Sequence, residues 1–343
     1  MSLPGIPRRD VVALAAVALG IFTAPFFLSG YYLGILISAG LYGIVTVGLC
    51  LLVGYARQIS LGHAAFYGLG AYTSALLATR LGLAPWLTLP LAGLFAAVVA
   101  IAIGYPVLRL HGHYLAMATL GLGIVFTVVL NAWASVTAGP SGFSGIPELP
   151  FPSFFTKGEG KTLWLVWLFV LILVAAALAL VNSRFGRTLR AIGDSEIAAE
   201  LLGLDTVRWK LRVFAISAAY AAVAGALYAH YVTFLSPEPF SFTFSLELLV
   251  MAVVGGLTSV WGGVVGAFVI VALTELLRRS VPPWMPGSSG ELEPVLFGLI
   301  LVAMVVLWPG GIAGIGASLL DRRVRRARTP AVREDAKASV RAG

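Results

Sequence analysis

The chain is a succession of long apolar runs, and that feature excludes most folds. Runs near 11–29, 31–53, 62–79, 84–108, 114–136, 162–182, 213–235, 245–260, 261–277 and 292–308 follow one another with short polar breaks. About 20 consecutive apolar residues suffice for a helix to cross the hydrocarbon core of a bilayer. Inside that core only helices and closed barrels satisfy every backbone N–H and C=O. Of the 343 residues, 59% are hydrophobic and 11% charged, against about 25% charged in a soluble domain. The expectation is an all-α polytopic membrane protein of about ten (8–10) transmembrane helices. It forms one transmembrane domain over 1–320, followed by a charged, cytoplasmic and disordered tail over 321–343.

The net charge of +8 does not call for nucleic acid, because the basic residues are not spread over a surface. Six Lys and Arg lie between Arg184 and Arg212, and eight between Arg322 and Arg341. Basic clusters beside apolar spans mark cytoplasmic faces. Ten crossings put both termini and the 183–212 loop on that one side, although Arg278 and Arg279 then fall outside. Arg8 and Arg9 ahead of an apolar stretch resemble a signal peptide, but a run of about 18 residues exceeds the usual length, so an uncleaved first span is expected.

Ser245–Leu277 is too long for one ordinary span and is interrupted by Gly255, Gly256, Gly262 and Gly263. Two short helices meeting at a glycine turn fit it better, with close helix packing as the other reading of those glycines. The main external loop, 137–161, is rich in Gly, Pro and Ser.

The loop 183–212 holds a short amphipathic helix. Asp194 or Ser195 can cap its start, Glu196 suits the positive end of the helix dipole, and Gly203 suits a left-handed stop. Ile197, Ala198, Leu201 and Leu202 share a face. That face could enter a partner's groove, with Ala199 close to a neighbour, or it could lie against the chain's own spans.

Between 54 and 72 the sequence reads GYARQISLGHAAFYGLGAY. Gly62, Gly68 and Gly70 permit close helix approach, while Ser60, His63, Tyr67 and Tyr72 bring polar groups to membrane depth. These groups could line a passage or serve as interhelical hydrogen bonds. The pair His111 and His113 is spaced HxH, but no carboxylate or cysteine accompanies it and Arg109 is adjacent, so no metal is expected. The single cysteine, Cys50, lies in an apolar run and reads as packing. No HExxH, GxSxG or GxxxxGK[ST] occurs, so neither an enzyme nor a self-contained ATPase is expected, and no cofactor.

The A-A-x-x-x-G of Ala198, Ala199 and Gly203 resembles the coupling motif of ATP-binding-cassette importers, with Ile197 where that motif has Glu and Glu196 one position earlier. GRTLRAIGDSEIAAELLGL followed by Lys210 is similar to the loop of the branched-chain amino acid permease family. The 54–72 stretch, GPSGFSGIP at 139–147 and VVGGLTSVWGGVVGA at 253–267 resemble the same family in the same order, over roughly 31–308. The 139–147 loop and the longer N-terminal part resemble its LivM-type rather than its LivH-type subunits.

The resemblance implies an inner-membrane permease subunit for branched-chain amino acids or related small amides or acids. Its partners would be a LivH-type second permease, two ATPase subunits that use the ATP, an external solute-binding protein and the surrounding lipid. It assigns Arg187, Arg190, Asp194, Glu196, Ala198, Ala199, Gly203 and Lys210 to coupling. Ser60, Gly62, His63, Gly68, Gly70 and Tyr72 are the candidates for the translocation pathway. An ion-coupled secondary transporter or a channel is the alternative, weakened because Glu247 and Glu275 lie near span ends and no other acid falls within a span. A zwitterionic substrate needs partners for both charges, and hydroxyls, backbone and helix ends are mostly what the spans offer.

Overall fold

A computed structural model describes residues 7–110, 112–150 and 158–280, together with Leu299 and Ala303. Helices make up almost all of it: α1 (Arg8–Phe27), α2 (Gly30–Leu49), α3 (His63–Arg80), α4 (Pro85–Val107), α5 (His113–Ala132), the single turn α6 (Ala134–Thr137), α7 (Glu159–Asn182), α8 (Arg184–Asp194), α9 (Glu196–Leu201), α10 (Thr206–Val232), α11 (Phe242–Gly255) and α12 (Val260–Ser280). A π-helical turn, Cys50–Tyr55, continues α2. Nine of the ten expected apolar runs are helices here, and the tenth, 292–308, falls outside the described residues, as does the tail 321–343.

The count of ten crossings is not confirmed. Among the described residues, six helices are long and apolar enough to cross a membrane: α1, α2 with its π turn, α4, α5, α7 and α10. The α11–α12 pair, bent by 118°, adds at most one more. Apart from the run at 292–308, which lies outside the described residues, the shortfall has two causes. The first is α3, whose Gly, Ala, Ser, Tyr and His content suits burial among helices: most of its residues are buried, and it packs between α10 and α4. The second is the α11–α12 bend itself. Gly256 sits at φ +110°, and a Cβ on Gly255 would lie 1.8 Å from the Gly262 carbonyl oxygen, so the helices cross backbone against backbone.

The core forms where small residues let helices touch. A Cβ on Gly70 would lie 2.1 Å from the Ala222 carbonyl oxygen, and one on Gly225 would lie 1.8 Å from that of Tyr67, which locks α3 onto α10. Along α2, α12 runs antiparallel: Leu257 meets Gly54, the Gly263 carbonyl accepts from Thr46 Oγ1 at 2.8 Å, and Glu275 accepts from the Tyr31 hydroxyl. By contrast, α1 buries only Ala24 and is held by Phe22 stacked on Trp164 at 5.2 Å.

The 137–150 segment is pinned rather than loose. Phe143–Ser144 pairs antiparallel with Phe234–Leu235 after α10. The buried His230 donates from Nδ1 to the Pro147 carbonyl at 2.7 Å, and Trp86 Nε1 donates to Pro150 at 2.9 Å. This segment and the loop carrying α8 and α9 therefore lie at opposite ends of the bundle.

Candidate functional site

At one end of the bundle, the expected single coupling helix is two helices. Ser183 caps α8 by accepting from Phe185 N, and Ser195 caps α9 by accepting from Ala198 N. Asp194 therefore ends α8 rather than capping α9, and it pairs instead with Arg57 at 3.2 Å. The stop expected at Gly203 is present: φ is +82°, Gly203 N donates to Glu200 O at 2.9 Å, and Leu204 N donates to Ala199 O at 3.1 Å. These two bonds form the Schellman arrangement, which satisfies the last carbonyls of a helix.

The two alanines of the motif face opposite ways. Ala199 is 2% exposed and packs into the chain, whereas Ala198 lies on the outer surface with Ile197, Leu201 and Leu202. Those three large apolar side chains are 75%, 84% and 81% exposed. Beneath them, Lys210 in the first turns of α10 is 1% exposed and pairs with Glu196. Glu196, displaced by one position from the importer motif, thus neutralises a buried cation. Arg187 is exposed on α8.

The loop is also keyed to the inner helices, through Arg190 and through Gly193 and Tyr55, which sequence reasoning did not single out. A Cβ on Gly193 would lie 2.6 Å from the Tyr55 carbonyl oxygen, and the Arg190 guanidinium lies 5.8 Å from the Tyr55 ring centroid. Tyr55 in turn donates its hydroxyl to Thr258 O at 2.9 Å, at the tip of the α11–α12 bend. The π turn that places Tyr55 there is of the kind that recurs at functional positions in helices.

The pathway candidates lie deeper. The His63 ring, 1% exposed, is held between Ser60 Oγ (3.1 Å to Nδ1) and Ser217 Oγ (2.7 Å to Nε2). Gly62 precedes α3, where a Cβ would lie 2.6 Å from Thr119 O, and one on Gly68 would lie 2.6 Å from the Phe126 ring. Gly70 is the contact with Ala222 described above. Tyr72 is buried against Phe240, and its hydroxyl has no hydrogen-bond partner among the described residues. In this chain taken alone, Ser60, His63 and the three glycines make interhelical contacts. Their neighbours Ala65, Phe66 and Leu69 face an apolar cavity of about 430 Å³ bounded by α4 and α5. Among the described residues no group of three His, Cys, Asp or Glu is placed to hold a metal ion, and His111 lies outside the described residues.

A family model described as the branched-chain amino acid transport system permease component matches residues 31–305. The chain belongs to this family. It is 34% identical to the high-affinity branched-chain amino acid transport system permease protein LivM of Escherichia coli K12, over 91% of this chain and 76% of that protein. It is likewise 34% identical to LivM of Salmonella typhimurium LT2, over 84% and 71%. The E. coli permease protein LivH is 25% identical, over 84% and 96%. No solved structure matches. The chain is accordingly a permease subunit of an ATP-binding-cassette importer and a multi-pass membrane protein, not an enzyme. That membership sets aside the secondary transporter and the channel.

Proposed function

We propose that this permease carries branched-chain amino acids through a bacterial inner membrane. It would work with a LivH-type second permease, two ATPase subunits and an external binding protein, and hold no nucleotide site of its own. The observation that carries the reading is the α8–α9 loop, which turns Ile197, Leu201 and Leu202 outward while its other side is clamped by Lys210, Gly193 and Ala199. An apolar knob on a fixed base is what a groove in a motor subunit can push against. Arg187, Arg190, Asp194, Glu196, Ala198, Ala199, Gly203 and Lys210 supply or support this surface. Closure of the ATPases would move the loop, and Tyr55 would pass that movement to the α11–α12 tip and to the 54–72 stretch.

The loop is read as cytoplasmic because it carries a basic cluster. The start of α1 lies at the same end, since α1 and α2 are joined at the other. The N-terminus is then cytoplasmic, and the Arg-rich tail is assigned there by charge. Reconstitution in liposomes tests the whole reading: leucine uptake should need the second permease, the ATPases, ATP and the binding protein. Uptake by the purified chain alone would overturn it.

A further inference from the structure

At the end opposite the coupling loop, a cavity of about 260 Å³ lies between the 148–149 segment, the first turns of α7 and the last turns of α10. Its lining joins two kinds of surface. One is apolar, from Leu149, Leu165, Val166 and Leu227. The other is charged, from Glu148, Glu159 and Lys161. No ion pair joins these three charged residues to one another, although both signs share one small space.

Glu159 is the most constrained of them. Its Oε2 is buried with no hydrogen-bond partner among the described residues, and it lies against the start of α2, where a Cβ on Gly30 would come within 3.2 Å. A carboxylate withdrawn from water without a donor is costly, and a bound donor relieves the cost. His230 also lines the space, but its ring is committed to Pro147 and to Ser74 at 2.9 Å. The charged hydrogen-bonding capacity of the first turns of α7 comes from Glu159, as acceptor, and Lys161, as donor, with the Tyr231 and Thr162 hydroxyls and Glu148 also on the lining. A bare metal ion fits poorly beside a lysine and four aliphatic side chains. The volume leaves room for a small solute and not merely for one water.

We propose that this cavity is a transit site for a small aliphatic zwitterion, its ammonium group taken by Glu159, its carboxylate by Lys161 and its side chain by the leucines. This deepens the function proposed above and rests on it, because it assigns to the outer end of the permease the charge partners that the spans lack. With one charge of each sign and an apolar wall in the same cavity, a molecule bearing only one of its two charged groups would leave one protein charge unmatched.

Saturation-transfer NMR on the detergent-solubilised importer, without its binding protein, tests the assignment with leucine, isoamylamine (no carboxylate) and isocaproate (no ammonium). Glu159→Gln should weaken leucine and isoamylamine by about tenfold, or about 1.4 kcal/mol, while leaving isocaproate unchanged. Lys161→Met should weaken leucine and isocaproate and spare isoamylamine. Equal losses for all three probes in both variants, or no leucine signal from wild type, would overturn the site. Leucine uptake by the same importer reconstituted in liposomes, with the binding protein and ATP restored, separates the two readings. Uptake without the crossed pattern removes only this site, whereas a fully assembled importer that moves no leucine removes the substrate reading as well.

Discussion

Lys210, buried at the foot of α10, is ion-paired with Glu196 in the first turn of α9, so the outward-facing loop is anchored by a charge inside the protein. Removing Glu196 leaves Lys210, 1% exposed, uncompensated at a cost of about 3–5 kcal/mol, whereas removing Lys210 leaves Glu196, 26% exposed and within reach of water. Glu196→Ala should therefore destabilise the detergent-purified chain by about 3 kcal/mol and Lys210→Met by much less. Thermal unfolding of both variants checks the order, and equal losses would show that the pair is not an anchor.

Gly203 tests conformation apart from contact. No atom lies within 4 Å of a Cβ built there, so only the backbone at φ +82° can object to a side chain. Asn tolerates that region and a β-branched residue does not. Gly203→Asn should keep uptake near wild type. Gly203→Val, strained by about 1–3 kcal/mol, should reach the membrane at normal abundance yet lose uptake and substrate-stimulated ATP hydrolysis together. Equal activity in the two variants would mean that the turn is not used.

The two faces of α9 should fail differently. Ile197→Asp with Leu201→Asp changes exposed side chains only, which moves stability by about 0.5 kcal/mol or less. Co-purification of the ATPase subunits should nevertheless be lost. Ala199→Glu inserts a charge at a position 2% exposed and should lower the abundance of the chain itself. The reverse assignment of these two outcomes would invert the docking face.

How much of this could be read from the sequence depended on what each inference needed. Gly203 and Ser195 were legible because caps are local chemistry, and the apolar runs were legible because span length is set by the bilayer. The facing of Ala199 was not: Ala198 and Ala199 are equally small, and only the position of Lys210 and the inner helices decides which is covered. The span expected at 62–79 forms a helix, α3, but its hydropathy does not confirm it as a crossing, because a helix buried among helices needs less hydrophobicity than one facing lipid. Tyr55 was passed over beside the glycines of its own stretch, since its partners lie at positions 190, 193 and 258. Glu159 and Lys161 were counted as part of a polar external loop, because their meeting with Leu227 requires α10 to return beside α7.

Glycine substitutions along α3 should be graded by what surrounds them. A Cβ at Gly70 would strike backbone, whereas at Gly68 it would strike aromatic rings that can rotate. Gly70→Ala should cost about 3 kcal/mol or more and deplete the chain from the membrane, with a smaller loss for Gly68→Ala. Gly121, with nothing within 4 Å, serves as the neutral control. Membrane abundance by immunoblot decides, and a tolerant Gly70 would mean that α3 and α10 are not in backbone contact.

The bend between α11 and α12 has a topological consequence. The chain leaves the end of α10 on the face opposite the coupling loop, dips until Leu257 touches Gly54, and climbs back along α2 until Glu275 reaches Tyr31. Such a detour is an excursion with no net passage, so Ser280 stands on the same face as Thr233. Length and composition let the pair count as one crossing, but its path returns to the face that it left. A segment of this kind can be threaded in late during biogenesis, or lengthened or shortened over evolution, without inverting either end of the protein.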